Sequence, residues 1–157
     1  MNLLVTVFAW LHIFFVIGWF GSFLYFLFVL FPLQRKLSPQ SAKDLMLKLI
    51  PPHELYSIVF ATGAILFGAA LFLKIGPSQS TTWLHYVWPG IITGVIAYIL
   101  MIVAMIGSSR MHKAIASMIN QPQIQAQPPP KSTLAMLVLS FIFLLATMSL
   151  MVLAASV

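Results

Sequence analysis

Four long uncharged runs of apolar residues dominate the sequence, at about 3–31, 55–73, 84–109 and 133–157. Each run reaches or exceeds the roughly 20 residues that an α-helix needs to cross about 30 Å of hydrocarbon. Because a backbone in lipid must satisfy its hydrogen bonds internally, each run is expected to be a helix. Short connections make neighbouring helices antiparallel. The pattern predicts an all-α integral membrane protein with four transmembrane helices in an up-down bundle, forming a single membrane domain over 1–157.

The polar segments between these runs predict two different structures. Residues 39–50 have two helix-start signals: Ser38 directly precedes the segment, and Ser41-x-x-Asp44 near its start matches a capping pattern. The apolar side chains of the segment share one face. These features predict a short helix that lies on the membrane surface. Residues 120–132 are rich in Pro and Gln, which predicts a flexible loop without a core.

The composition indicates that hydrocarbon is the solvent for most of this chain. Of its 157 residues, 61% are hydrophobic and only 6% are charged, whereas a soluble domain carries roughly 25% charged residues. The absence of cysteine excludes disulfides, thiolate metal sites and thiol catalysis. The net charge of +6 comes from basic residues that flank the apolar runs, so it does not indicate nucleic-acid binding.

The positions of the basic residues predict an orientation. Seven of the eight Lys and Arg residues lie between the first and second runs or between the third and fourth, whereas the remaining loop holds only Lys74. The positive-inside rule makes the side with the seven basic residues cytoplasmic. We therefore expect both termini to lie outside the plasma membrane.

Small residues at helical spacing predict which faces pack within the bundle, because they let helix backbones approach closely. The predicted helix-packing residues are Gly18 and Ser22 in the first run, Ala64 and Gly68 in the second, and Gly90, Gly94 and Ala97 in the third. The first run has another face, roughly 130° away, and it is rich in aromatic residues. Its candidate partner-facing residues are Val16, Trp19, Phe23 and Phe26, which align with His12. A simpler interpretation is that the phenylalanines of this face meet lipid.

The histidines are the main candidates for chemistry, and the topology sorts them into two levels. His12 and His85 lie towards the outer side, and His53 and His112 lie towards the inner side. Neutral imidazole is a ligand for copper, zinc and iron, and two histidines between helices can hold a b-type haem, so each pair is a candidate metal or haem site. Alternatively, His12 bonds a backbone carbonyl or hydroxyl of a neighbouring helix, and the other three meet water and headgroups.

The chain lacks the residue patterns of an enzyme. Its only acids are Asp44 and Glu54, both expected at the inner surface, and no nucleophile triad or phosphate loop is present. The apolar runs also lack the acidic residues of proton-driven transporters. Met101 and Met105 lie one turn apart and could bind Cu(I) through their thioethers or fill gaps in the core.

One short motif in the first run resembles a known family. The pattern Leu11-His12, then Gly18-Trp19-Phe20-Gly21, then Tyr25 resembles the first helix of CopD-like membrane proteins. These include the copper-resistance D domain and related small four-helix proteins. The resemblance covers about the first thirty residues and the four-helix layout. It implies association with copper or b-type haem, with His12 as the candidate ligand. A basic residue that some relatives hold early in the third helix is absent here.

Two functional hypotheses follow. The first is a non-catalytic accessory subunit of a larger membrane complex, with the bilayer and other membrane subunits as its partners. The resemblance suggests a copper-dependent complex, such as an ammonia or methane monooxygenase. The alternative is a stand-alone CopD-like protein that binds copper or b-type haem and handles metal or transfers electrons.

Overall fold

The computed structural model describes residues 3–75, 81–117 and 131–156, and these are almost entirely helical. The helices are α1 (Leu3–Tyr25), α2 (Phe31–Lys36), α3 (Pro39–Lys48), α4 (Ile50–Ile75), α5 (Thr81–Ser117) and α6 (Lys131–Ala155), and a π-helical segment, Phe26–Leu30, joins α1 to α2. Within the described ranges there is no strand, which confirms the all-α prediction.

Four helical stretches are long and apolar enough to cross a membrane, as the sequence predicts. They are Leu3–Gln34, Ile50–Ile75, Thr81–Arg110 and Ser132–Ala155. Most of the loop predicted at 120–132 lies outside the described residues, but its last two positions belong to α6.

The short helix α3 begins where its sequence signals indicate but ends at Lys48, and Ile50, the last residue of the predicted surface helix, belongs to α4. The side chain of Ser38 accepts a hydrogen bond from the backbone N–H of Ser41 at 3.2 Å, so Ser38 is the N-cap and Pro39 occupies the first helical position. Ser41, which the capping pattern also suggested as a start, lies inside the helix. Ala42 is buried, and α3 contacts α2, α4 and α5. One side of this helix therefore rests on the end of the bundle.

The π-helical segment lies just before Pro32, and this proline explains why the backbone departs from the α-helix there. Proline has no N–H and its ring collides with the carbonyl four residues earlier, here that of Phe28. The backbone instead widens by one residue, and the N–H of Phe31 bonds the carbonyl of Phe26. The first membrane helix thereby continues past Pro32 to Lys36.

The four long helices form two closely packed pairs, α1 with α4 and α5 with α6. Along the first pair, Gly18 faces Phe60, Gly63 faces Phe15 and Gly68 faces His12. Residue numbers therefore increase along α1 as they decrease along α4. These contacts make the pair antiparallel. Along the second pair, Gly90 faces Met151 and Gly107 faces Thr133, which is again antiparallel.

A core of apolar side chains joins the two pairs. Its buried members come from all four long helices and are Trp19, Phe23, Ala61, Ala64, Ala97, Met101, Met105 and Leu144. Bridges between the pairs include a stacked contact of Phe20 with Phe141, with ring centroids 5.5 Å apart, and a hydrogen bond between Thr62 and Tyr98. The two methionines therefore fill the core, one of the two roles expected for them.

Candidate functional site

His12 lies where α1 packs against α4, and its side chain bonds the backbone of α4. Its Nδ1 atom is 2.8 Å from the carbonyl oxygen of Ala64. A carbonyl oxygen only accepts, so Nδ1 carries the proton and donates it in this bond. The side chain thus joins two long apolar helices, as one of the sequence-based interpretations anticipated.

The imidazole of His12 also rests on Gly68. A Cβ atom at Gly68 would lie 2.8 Å from the Cε1 atom of the ring, so the absence of a side chain there lets the histidine enter the interface. With its proton on Nδ1, a neutral His12 keeps a lone pair on Nε2. Histidines that ligate metals commonly donate their other ring N–H to a backbone carbonyl in this way.

His53 makes the reciprocal contact at the other end of the same helix pair. Its Nε2 atom is 3.1 Å from the carbonyl oxygen of Ser22 in α1, and it donates by the same reasoning. Its ring lies 5.8 Å from that of Tyr25 and 5.9 Å from that of Phe26, measured between centroids. His12 and His53 therefore form a pair of cross-links, which we call the histidine clasp, in which each helix supplies one imidazole and one carbonyl.

The remaining two histidines have different surroundings. His85 is exposed near the start of α5, and its ring meets that of Tyr86 edge-on at 5.7 Å. The side chain of His112 lies outside the described part of the structure, so its pairing with His53 stays a prediction. The pairing of His12 with His85 also stays a prediction. No group of three or more potential metal ligands occurs among the described residues.

The aromatic face of α1 points into the bundle. Trp19 is 3% exposed and Phe23 is 4% exposed, and Val16 packs against the same core. The indole Nε1 of Trp19 donates to the thioether sulfur of Met101 at 3.2 Å. The interpretation of Trp19 and Phe23 as partner-facing is therefore corrected: both side chains are covered by the chain's own α5 and α6. Phe26, which adjoins His53, is half-buried.

The same helix packs on two sides because α1 has three neighbours in the bundle. Its small-residue side meets α4, where Gly18 lies against the ring of Phe60. Ser22 is buried and donates to the carbonyl of Trp19 at 2.7 Å, and Ala64 is buried on the facing helix. Both faces identified from the sequence are thus used inside the chain.

The small residues of α5 lie against α6. A Cβ atom at Gly90 would lie 3.0 Å from Met151, and one at Gly94 would lie 3.4 Å from Thr147. Ala97 is fully buried, and its carbonyl accepts a 2.6 Å hydrogen bond from the hydroxyl of Ser140. The close approach of the two helices is what permits this short bond.

A narrow cavity lies inside the bundle at the end that carries most of the basic residues. Its volume is about 40 Å³, and a single water needs about 10–15 Å³. Its polar lining residues are Ser22, Gln34, His53, Glu54, Ser57, Ser108 and Thr133. His53 also lines a groove on the outside of the bundle, so its ring forms part of the wall between the cavity and the surface.

The position of Glu54 in this cavity differs from the position that the sequence predicts. It was expected at the membrane surface, but its half-buried side chain points inward and bonds the hydroxyl of Ser108 in α5. Ionisable residues inside membrane bundles generally face protein or water-filled cavities. A signal existed in the sequence, because Glu54 lies three residues before Ser57 and seven before Ala61, on the same face of the helix.

The described polar groups thus have two arrangements: cross-links between helices, and one small cavity around a single carboxylate. We compared the chain with known protein families, curated proteins and solved structures, and no match was found.

Proposed function

We propose that this chain is a non-catalytic accessory subunit of a larger membrane complex in the plasma membrane, with both termini outside. A copper-dependent membrane enzyme is the proposed host, and that part of the proposal rests on the resemblance of the first helix to CopD-like proteins.

The observation that carries the subunit proposal is the uneven distribution of exposed aromatic side chains. Six are exposed among the described residues, and four of these belong to the first membrane helix: Trp10, Phe14, Tyr25 and Phe28. None belongs to α6. Aromatic residues are enriched at protein interfaces. The exposed side of α1 around Trp10 and Phe14 is accordingly the proposed contact with partner subunits.

The use of polar side chains inside the bundle agrees with a scaffold role. His12, His53 and Ser140 each donate to a backbone carbonyl of another helix. Thr93 and Thr147 share a hydrogen bond between α5 and α6 at 2.9 Å. In hydrocarbon such bonds fix the register of helices, which is the property a structural subunit needs.

The test is the size of the assembly that contains the chain in its native membrane. A tagged chain extracted in a mild detergent should migrate on a native gel well above its own 17.5 kDa and retain the same associated proteins in repeated preparations. Migration as a lone bundle, with no associated protein after cross-linking, would contradict the proposal.

Two equally exposed residues provide a matched comparison of faces. Trp10 on α1 and Val152 on α6 are each 69% exposed. Trp10→Ala should weaken the association with partners, because it removes an aromatic anchor from the proposed contact. Val152→Ala should leave the association intact. Equal effects of the two substitutions would remove the assignment of the contact to α1.

A second candidate, a stand-alone protein that binds copper or b-type haem, is favoured by one detail. The hydrogen bond from Nδ1 of His12 to Ala64 leaves Nε2 with the lone pair that a ligand needs. Such a protein, purified after growth with copper and haem precursors, should hold metal or show a Soret band. His12→Leu should abolish that signal while the fold persists by circular dichroism; a metal-free, colourless preparation would exclude this candidate.

A further inference from the structure

An open groove of about 480 Å³ lies on the outside of the bundle, between the end of α1 and the start of α4. Its floor is Gly21, and nothing lies within 4 Å of a Cβ atom built at that glycine. Tyr25 and Tyr56 border the groove and are 42% and 46% exposed. Leu49, between α3 and α4, closes the groove towards the surface helix.

We expect the groove to lie near the boundary between hydrocarbon and headgroups, because it reaches Leu49, just before the candidate span that begins at Ile50. Exposed tyrosines are typical of this boundary, because their rings are apolar and their hydroxyls are polar. The short helix α3, which is amphipathic, lies beside it and contacts α4. An occupant of the groove would thus have an apolar portion over Gly21 and a polar portion near α3.

The charge around the polar end is predominantly positive. The segment 35–48 carries four basic residues and one acid, Asp44. The side chains of Lys36 and Lys48 are exposed, and Lys48 directly precedes Leu49 of the groove. Basic clusters at the cytoplasmic ends of membrane helices attract anionic headgroups, at about 1 kcal/mol for each Lys or Arg.

We propose that this groove binds an anionic phospholipid. One acyl chain lies over Gly21 between the two helices, and the phosphate lies between the two tyrosine hydroxyls and Lys48. This inference is independent of the proposed subunit role, since it concerns the bundle and its lipid alone.

The experiment is native mass spectrometry of the purified full chain with equal amounts of phosphatidylglycerol and phosphatidylcholine. One phosphatidylglycerol should remain bound in preference to phosphatidylcholine. Lys48→Gln should weaken this binding by about five-fold. Lys74→Gln, at the opposite end of α4, is the matched control and should leave the binding unchanged.

Filling the groove tests the position of the acyl chain. Gly21→Leu adds a side chain into open space, so the variant should keep its helical content and thermal stability while losing the retained lipid. Equal retention of both lipids, or undiminished binding in both Gly21→Leu and Lys48→Gln, would overturn the proposal. A dimer that disappears in Gly21→Leu would also overturn it, because a second copy of the chain would then be the occupant.

Discussion

At the scale of single residues, the histidine clasp shows how a polar side chain can stabilise a membrane bundle without a ligand. An unpaired buried imidazole is costly, so His12 and His53 each bond a backbone carbonyl of the facing helix. The carbonyls of Ala64 and Ser22 are such acceptors, at 2.8 Å and 3.1 Å. Each bond links α1 to α4 and therefore fixes the relative position of the two helices along their axes.

Removing either half of the clasp should measure its contribution to stability. His12→Leu keeps a side chain of similar volume and removes the donor, so the free energy of unfolding should fall by about 0.5–1.5 kcal/mol. His53→Leu should have a similar effect. The two bonds lie about 15 Å apart, ten residues along α1, so the effects should add in the double variant. Reversible unfolding in mixed micelles with increasing detergent denaturant provides the measurement, and unchanged stability in both single variants would contradict the assignment.

At the scale of helices, close approach depends on where glycines meet large side chains. Gly18 lies beneath the ring of Phe60, whereas Gly21, less than one turn later on α1, faces open space. Two glycines that look equivalent in the sequence therefore have different structural roles. The difference arises because successive helix positions turn by about 100°.

These two glycines provide a matched test of the α1–α4 interface. Gly18→Ala should destabilise the bundle by about 1–3 kcal/mol, because the new methyl group overlaps the ring of Phe60. Gly21→Ala should be neutral or stabilising by up to about 1 kcal/mol, since alanine favours helix over glycine. Thermal unfolding in detergent, followed by circular dichroism, compares the two; equal effects would show that the interface differs from the one described.

At the scale of the whole molecule, charge separates the two ends of the bundle. Lys36, Lys48 and Arg110 are exposed at one end, and Lys74 is exposed at the other. The basic end also contains the cavity lined by Glu54 and the groove beside α3. If the basic end is cytoplasmic, as the positive-inside rule indicates, both features lie on the cytoplasmic side of the bundle.

The orientation can be tested directly because the chain contains no cysteine. In intact cells, Lys74→Cys should react with a membrane-impermeant maleimide, whereas Lys48→Cys should react only after the membrane is permeabilised. Both side chains are exposed, so access from the correct side is the limiting condition. The unsubstituted chain is the blank, and the reverse labelling pattern would contradict the proposed orientation.

The number, type and approximate limits of the four long apolar helices follow from the sequence alone. Those properties follow from local hydropathy and length, because hydrocarbon enforces a helix wherever an apolar run is long enough. The surface helix was likewise predictable from Ser38 and its apolar face. The π-helical segment at Phe26–Leu30 depends on a local feature, Pro32, but the sequence did not predict that the backbone would widen into a π-helix there.

The neighbour that each helix face meets depends on the tertiary packing. Periodicity placed Trp19 and Phe23 on one face of α1, yet whether that face met a partner or the chain's own helices depended on the positions of α5 and α6. In the same way, the inward direction of Glu54 depended on Ser108, which lies 54 residues later. The register between two helices is set by the shapes of side chains that are distant in sequence. The residue pattern of one helix therefore does not identify which helix packs against it.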